Sequence, residues 1–194
     1  MREQKLVRYF GKYKALSVDD IKLISTGFKL KKYKSGAYLS RAGELATDLF
    51  FIEEGILKIT VPGFEDEELV YCFLEENQLM AFLYSLYDQV PALQNLRAAT
   101  DCQVMEISRS KLMDLFEKAP DLRMLIDHIA HLSMVDMIHT KNAYLALDSR
   151  KGYELLLERQ PEIARRVALR DIASYLNITP QSLSRIRGVI SGQK

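Results

Sequence analysis

The densest group of side chains able to do chemistry lies near the end of the chain, in LRDIASYLNITPQSLSRIRG, residues 169–188. Ile172, Leu176, Ile178, Leu183 and Ile186 are apolar at spacings that let two short helices share a small core. Ala173 is small where those helices must cross closely. Asn177 falls at the turn between them, and asparagine tolerates the left-handed conformation such a turn demands. Thr179 can cap the second helix, with Pro180 in its first turn. That leaves Gln181, Ser182, Ser184, Arg185 and Arg187 for the outer face. Gln and Arg can hydrogen-bond base edges, while Ser and Thr, including Thr179, suit phosphate oxygens. The whole is a helix-turn-helix pattern, and its chemistry is the reading of double-stranded DNA. An ordinary helical hairpin shares the apolar spacing but does not require the turn Asn, the small Ala and the capped start together. Arg185 and Gln181, near the start of the second helix, are the expected base-edge contacts. Arg187 is rotated from Arg185 by roughly 200° and suits a phosphate or a partner surface.

Other chemistry is poorly supplied. Cys72 and Cys102 form no CxxC pair, which disfavours a zinc site, an iron–sulfur cluster or a disulfide scaffold. His128, His131 and His139 share one side of a helical segment, but no Cys or carboxylate cluster completes a ligand set. Solvated or seam positions suit them better, and Asp136 with His139, one turn apart, could form a pH-sensitive pair. No His precedes residue 128, so a β-rich domain cannot build the metal site of a cupin enzyme. No Ser-His-Asp set or carboxylate pair is apparent, and EDEE at 65–68 reads as an exposed hairpin tip. No catalytic residue, metal or cofactor is expected.

The net charge of +1 hides an asymmetry. Residues 1–34 carry +7, residues 35–149 carry −11 and residues 150–194 carry +5. A basic end after an acidic body indicates that the C-terminal block meets a polyanion. No apolar run reaches the ~18 residues of a membrane span, and the charged MREQKLVRYFGKYK has no signal-peptide core. A cytoplasmic setting and no membrane partner follow as expectations.

The elements that must position the DNA-reading residues follow from periodicity. Residues 1–34 read as helical, through Leu6, Tyr9, Phe10 and Tyr13, then a Ser17 cap and Ile21, Leu23, Ile24 and Phe28. From about 29 to 108, short β-rich runs alternate with Gly36, Gly43, Gly55 and Gly63, the spacing of a sandwich or barrel of antiparallel strands. SRSKLMDLFEKAP then reads as a short helix ending near Pro120. The stretch from 120 to about 147 has no internal Pro or Gly and predicts a helix of ~42 Å. Leu122, Leu125, Ile129 and Leu132 step along it by three, four and three, as a dimer seam would. Residues 149–194 form a small helical unit divided by Pro161.

Order, lengths and motifs together resemble the Crp/Fnr superfamily of bacterial transcription regulators over roughly residues 15–190. KYKSGAYLSRAGELATDLFFIEEGILKI, residues 32–59, is similar to that family's first strands, including the Gly43–Glu44 corner and Gly55. LRAATDCQVMEISRSKLMDLF is similar to its strand-to-helix exit. The resemblance implies an α+β fold in three parts. Residues 1–120 would hold the N-terminal helices and a cyclic-nucleotide-binding-like jelly roll, 121–148 the dimerisation helix and 149–194 the helix-turn-helix. It implies a homodimer on a two-fold-related operator, and a ligand-binding or adaptor module without DNA function is the alternative.

The departures are informative. The Gly-Glu pair with which cyclic-nucleotide binders hold the ribose falls here near Ala81 and Phe82, and their phosphate Arg falls near Ala92, with Leu93 after it. A phosphodiester buried without a cation or open amides is costly, so cyclic AMP and GMP are not expected ligands. Phe82, Leu83, Leu86 and Arg97 could line a pocket for an unknown small effector, although a filled core accounts better for Phe82, Leu83, Tyr84, Leu86 and Tyr87. Family members usually add a β-hairpin wing after the recognition helix. Only GVISGQK follows Arg187, which predicts a minimal DNA-binding unit.

Overall fold

The computed structural model describes residues 5–63 and 67–192. Two short helices come first, α1 (Lys5–Gly11) and α2 (Val18–Gly27). Ser17 starts α2 with a reciprocal capping box, its hydroxyl accepting from the Asp20 amide while Asp20 accepts from the Ser17 amide. Helix was expected through residue 34, but Lys29–Tyr33 is a strand, β1. KLKKY carries its charges on an exposed edge, and a strand rich in lysine there resists pairing with other chains.

The following strands are β2 (Tyr38–Ser40), β3 (Asp48–Glu54), β4 (Leu57–Pro62), β5 (Glu68–Leu74), β6 (Leu79–Met80), β7 (Asn95–Ala98) and β8 (Cys102–Ser108). They form two antiparallel four-stranded sheets, ordered β1-β8-β3-β6 and β2-β7-β4-β5. This is a jelly roll. Its β3 run DLFFIEE does not alternate because both faces are covered. Phe50 and Ile52 enter the roll interior with Leu57, Ile59, Leu96 and Val104. Leu49 and Phe51 point outward, under a helical layer that contributes Phe10, Ile24, Leu112 and Leu125.

The turn from β3 to β4 requires glycine. Gly55 has φ +99°, and a Cβ there would lie 2.5 Å from the Asp101 carbonyl oxygen and 2.6 Å from Cys102 Sγ. Gly55→Ala therefore combines backbone strain with a clash against main chain. It is expected to lower stability by about 2–4 kcal/mol, read as a shifted urea midpoint. An unchanged midpoint would show that the turn relaxes freely.

After a short helix α3 (Leu83–Asp88) within the strands, helix resumes as α4 (Arg109–Lys118) and α5 (Pro120–Tyr144). At 25 residues α5 is ~37 Å long, and it stops at Tyr144, short of the predicted 147. Asp148 instead caps the next helix, α6 (Ser149–Arg159), by accepting from the Lys151 amide. A second correction concerns which face of α5 is covered. Leu122, Leu125 and Ile129 are 0%, 7% and 1% exposed and pack with Phe10, Phe51, Leu115 and Phe116 of the same chain. They are core residues, not contacts to a second molecule. Leu132 does face outward, at 42% exposure.

Candidate nucleic-acid interface

Beyond α6 lie α7 (Pro161–Arg166), α8 (Leu169–Tyr175) and α9 (Pro180–Ser191). Asn177 takes φ +55° between α8 and α9, and the Ile178 amide then bonds back to the Ala173 carbonyl at 2.9 Å. Ala173, Ile172 and Leu183 are fully buried and fix the crossing of the two helices. Thr179 caps α9, its Oγ1 accepting from the Ser182 amide at 3.1 Å and donating to Ser182 Oγ at 3.0 Å. The Thr179 and Ser182 hydroxyls thus serve the cap as well as facing solvent. Gln181, Ser184 and Arg185 are exposed, while Arg187 is half-buried on a different side of α9. Residues 188–191 continue the helix.

The apolar cluster under these helices does not stop at residue 149. It includes Ile56, Val70, Phe73 and Ala99 of the roll together with Tyr153, Leu156, Ile163 and Val167. The helix α8 lies on β5, the edge strand of its sheet. Tyr175 stacks edge-on against Phe73 at 5.2 Å and against Tyr144 at 5.3 Å. The Val70 amide donates to Ser174 Oγ at 2.9 Å. Lys58 Nζ meets Asp171 Oδ2 at 2.7 Å, with side chains only 8% and 12% exposed. Arg166 meets Glu76 at 2.8 Å, and Glu76 also accepts from the Gly55 amide. Burial pushes the Glu76 carboxyl upward, but the Arg166 guanidinium and the backbone amides outweigh it and hold it below its ordinary value. Sequence reasoning missed this docking surface. Its one signal was Lys58 inside the apolar run ILKITV.

A cleft of about 780 Å³ opens between the roll and the start of α9, lined by Lys58, Glu67, Glu68, Arg97, Arg170 and Thr179 among others. Glu68 is not an exposed tip: it accepts from Tyr38, Thr60 and Arg97, its bond to Arg97 being 2.7 Å. Glu65 and Asp66 of the expected tip lie outside the described residues.

The four candidate effector residues do not converge. Phe82 is buried in the roll interior, Leu83 and Leu86 belong to the separate cluster under α5, and Arg97 is committed to Glu68 and the Gly36 carbonyl. The amides at the phosphate-arginine position are also engaged. Ala92 donates to the Glu44 carbonyl at 2.8 Å and Leu93 to the Tyr84 hydroxyl at 2.8 Å. Nor does a hydrogen bond join Asp136 to His139 among the described residues; Asp136 instead lines a small cavity beside Met137 and Cys72. Burial pushes the Cys72 thiol up to about 12.

With its inner face buried, α5 presents an outer stripe of Met124, His128, His131, Val135, Ile138 and Asn142. These recur by four, three, four, three and four, a heptad spacing read from their numbers. Met124 and Ile138 are 73% and 46% exposed, and Leu132 and Met134 flank them at 42% and 44%.

Residues 30–119 match the Cyclic nucleotide-binding domain family. The "cAMP-activated global transcriptional regulator CRP" of Salmonella typhimurium is 25% identical over 174 residues, 84% of this chain and 83% of that one. The chain is thus similar to a CRP-type transcription regulator over most of its length. Solved structures share the fold. The c-di-GMP responsive regulator CLP of Xanthomonas campestris superposes with TM-score 0.69 at 17% identity, covering 91% of this chain and 93% of that one. FixK2 of Bradyrhizobium japonicum superposes with TM-score 0.68 at 16% identity, covering 86% and 85%. The α+β jelly roll with a C-terminal helical unit is therefore an architecture that this chain shares with them. No helix among the described residues is long and apolar enough to cross a membrane.

Proposed function

We propose that this Crp/Fnr chain regulates transcription by binding a two-fold-related DNA site as a homodimer, with two α9 helices in successive major grooves ~34 Å apart. The observation that carries the reading is the capped α9 with Gln181, Ser184 and Arg185 exposed along its first two turns. Dimerisation uses the outer stripe of α5, since the inner face is consumed by the roll. Val135 and Asn142 fall at equivalent heptad positions, and a β-branched residue with a polar Asn there favours two parallel strands.

Arg185→Ala is expected to lose ~1–3 kcal/mol of operator affinity and to relax preference at one base position. Selection from a randomised DNA pool followed by mobility shifts reads both effects. Equal loss on cognate and random DNA would remove Arg185 from base reading. No preference at all by the intact dimer would overturn the regulator reading.

Cyclic AMP is not the effector in this reading, because the Ala92 and Leu93 amides are already bonded and Arg97 faces Glu68. Titration calorimetry is expected to show no binding of cyclic AMP or cyclic GMP at micromolar concentrations. Saturable micromolar binding would mean that the loop from 89 to 94 rearranges to release those amides.

A further inference from the structure

Within one described chain no group of three or more His, Cys, Asp or Glu could hold a metal ion. The exposed stripe of α5 changes that count, because a two-fold partner repeats it. His128 and His131 are both exposed and occupy consecutive positions of the stripe. Three residues apart, they stand on one helix face with Cβ atoms ~5–6 Å from each other. Their neighbours along the stripe, Met124 on one side and Val135 and Ile138 on the other, are apolar. The two imidazoles are thus a polar step between apolar residues of the seam. A second copy packed in parallel brings an identical pair to the same level of the axis. Four imidazole nitrogens then surround one short stretch of the seam, a donor set of the borderline-soft kind that suits zinc and its neighbours.

We propose that His128 and His131 of two protomers together form a binding site for a divalent transition-metal cation of the zinc class, incomplete in either protomer alone. The inference rests on the dimer reading above. The cation bridges the two α5 helices close to where Leu125 and Ile129 anchor each helix to its own roll. It would favour the paired state by mass action.

The experiment uses the full chain, stripped with a chelator and then titrated with zinc or cobalt chloride. Sedimentation equilibrium, native mass spectrometry and cobalt d–d absorption are read in parallel. The expected result is a dimer that binds one metal ion per two chains and dissociates at least about tenfold less readily when loaded. His128→Leu and His131→Leu should each abolish the metal response. Because leucine suits a heptad seam, both variants should still dimerise without metal. A wild-type dimer indifferent to both metals would overturn the site and leave the dimer reading intact. A wild-type chain that stays monomeric with and without metal would overturn both. Undiminished metal binding by the double variant His128→Leu with His131→Leu would place the metal elsewhere and overturn the proposal.

Discussion

Lys58→Ala is expected to destabilise the protein by ~3–5 kcal/mol, because it leaves the Asp171 carboxylate buried beside β4 and β5 without its cation. The double exchange Lys58→Met with Asp171→Leu removes both charges and should recover most of that loss, since apolar pairs of similar volume often replace buried ion pairs without penalty. Urea unfolding of the two singles and the double forms the cycle. A coupling near zero would show that solvent reaches the pair. The same variants test whether the roll sets the pose of the helix-turn-helix unit. Asp171 lies in the first turn of α8, and α8 carries α9. The stable double variant should therefore bind DNA with altered affinity even though neither residue is among the proposed DNA contacts.

Ile138→Glu is expected to yield a monomer at micromolar concentration, with operator affinity lowered at least about 100-fold because each chain then engages one half-site only. Its thermal transition should barely move, since Ile138 is 46% exposed and belongs to no apolar cluster among the described residues. Ile129→Glu supplies the contrast. Ile129 is 1% exposed in the cluster with Phe51 and Phe116, so a carboxylate there should unfold the helical layer whatever the oligomeric state. Sedimentation alone cannot separate the two variants if both lose the dimer, but calorimetric melting can. An Ile138→Glu protein that remains fully dimeric would move the seam off the outer stripe.

These two isoleucines also show how far the amino-acid order could be read. That α5 exists, that it is long, and that it is apolar over much of its circumference were legible from period alone. Which side meets the roll was not. Leu122, Leu125 and Ile129 and the outer stripe both satisfy helical spacing, and only the position of β3, β8 and α1 in space decides between them. The turn at Asn177, the Thr179 cap and the buried Ala173 were readable because each reflects a local backbone requirement. Phe82, Leu83, Leu86 and Arg97 were grouped by closeness in sequence, yet neighbouring residues there leave for opposite sides of the sheet. The Lys58–Asp171 pair spans 113 positions, and no local pattern announces it.

The placement of α8 along β5 bears on how this protein can be taken apart. The edge strand β5 exposes Leu69 and Tyr71 in part, and Val70 and Phe73 are hidden by the residues that follow 149. A roll expressed without those residues would present an uncovered sheet border, with the Val70 amide open and an apolar strip beside it. Such a border recruits strands from other molecules. The C-terminal helical unit is therefore also the roll's guard against aggregation, and any swing that frees it must be brief or accompanied by a substitute cover.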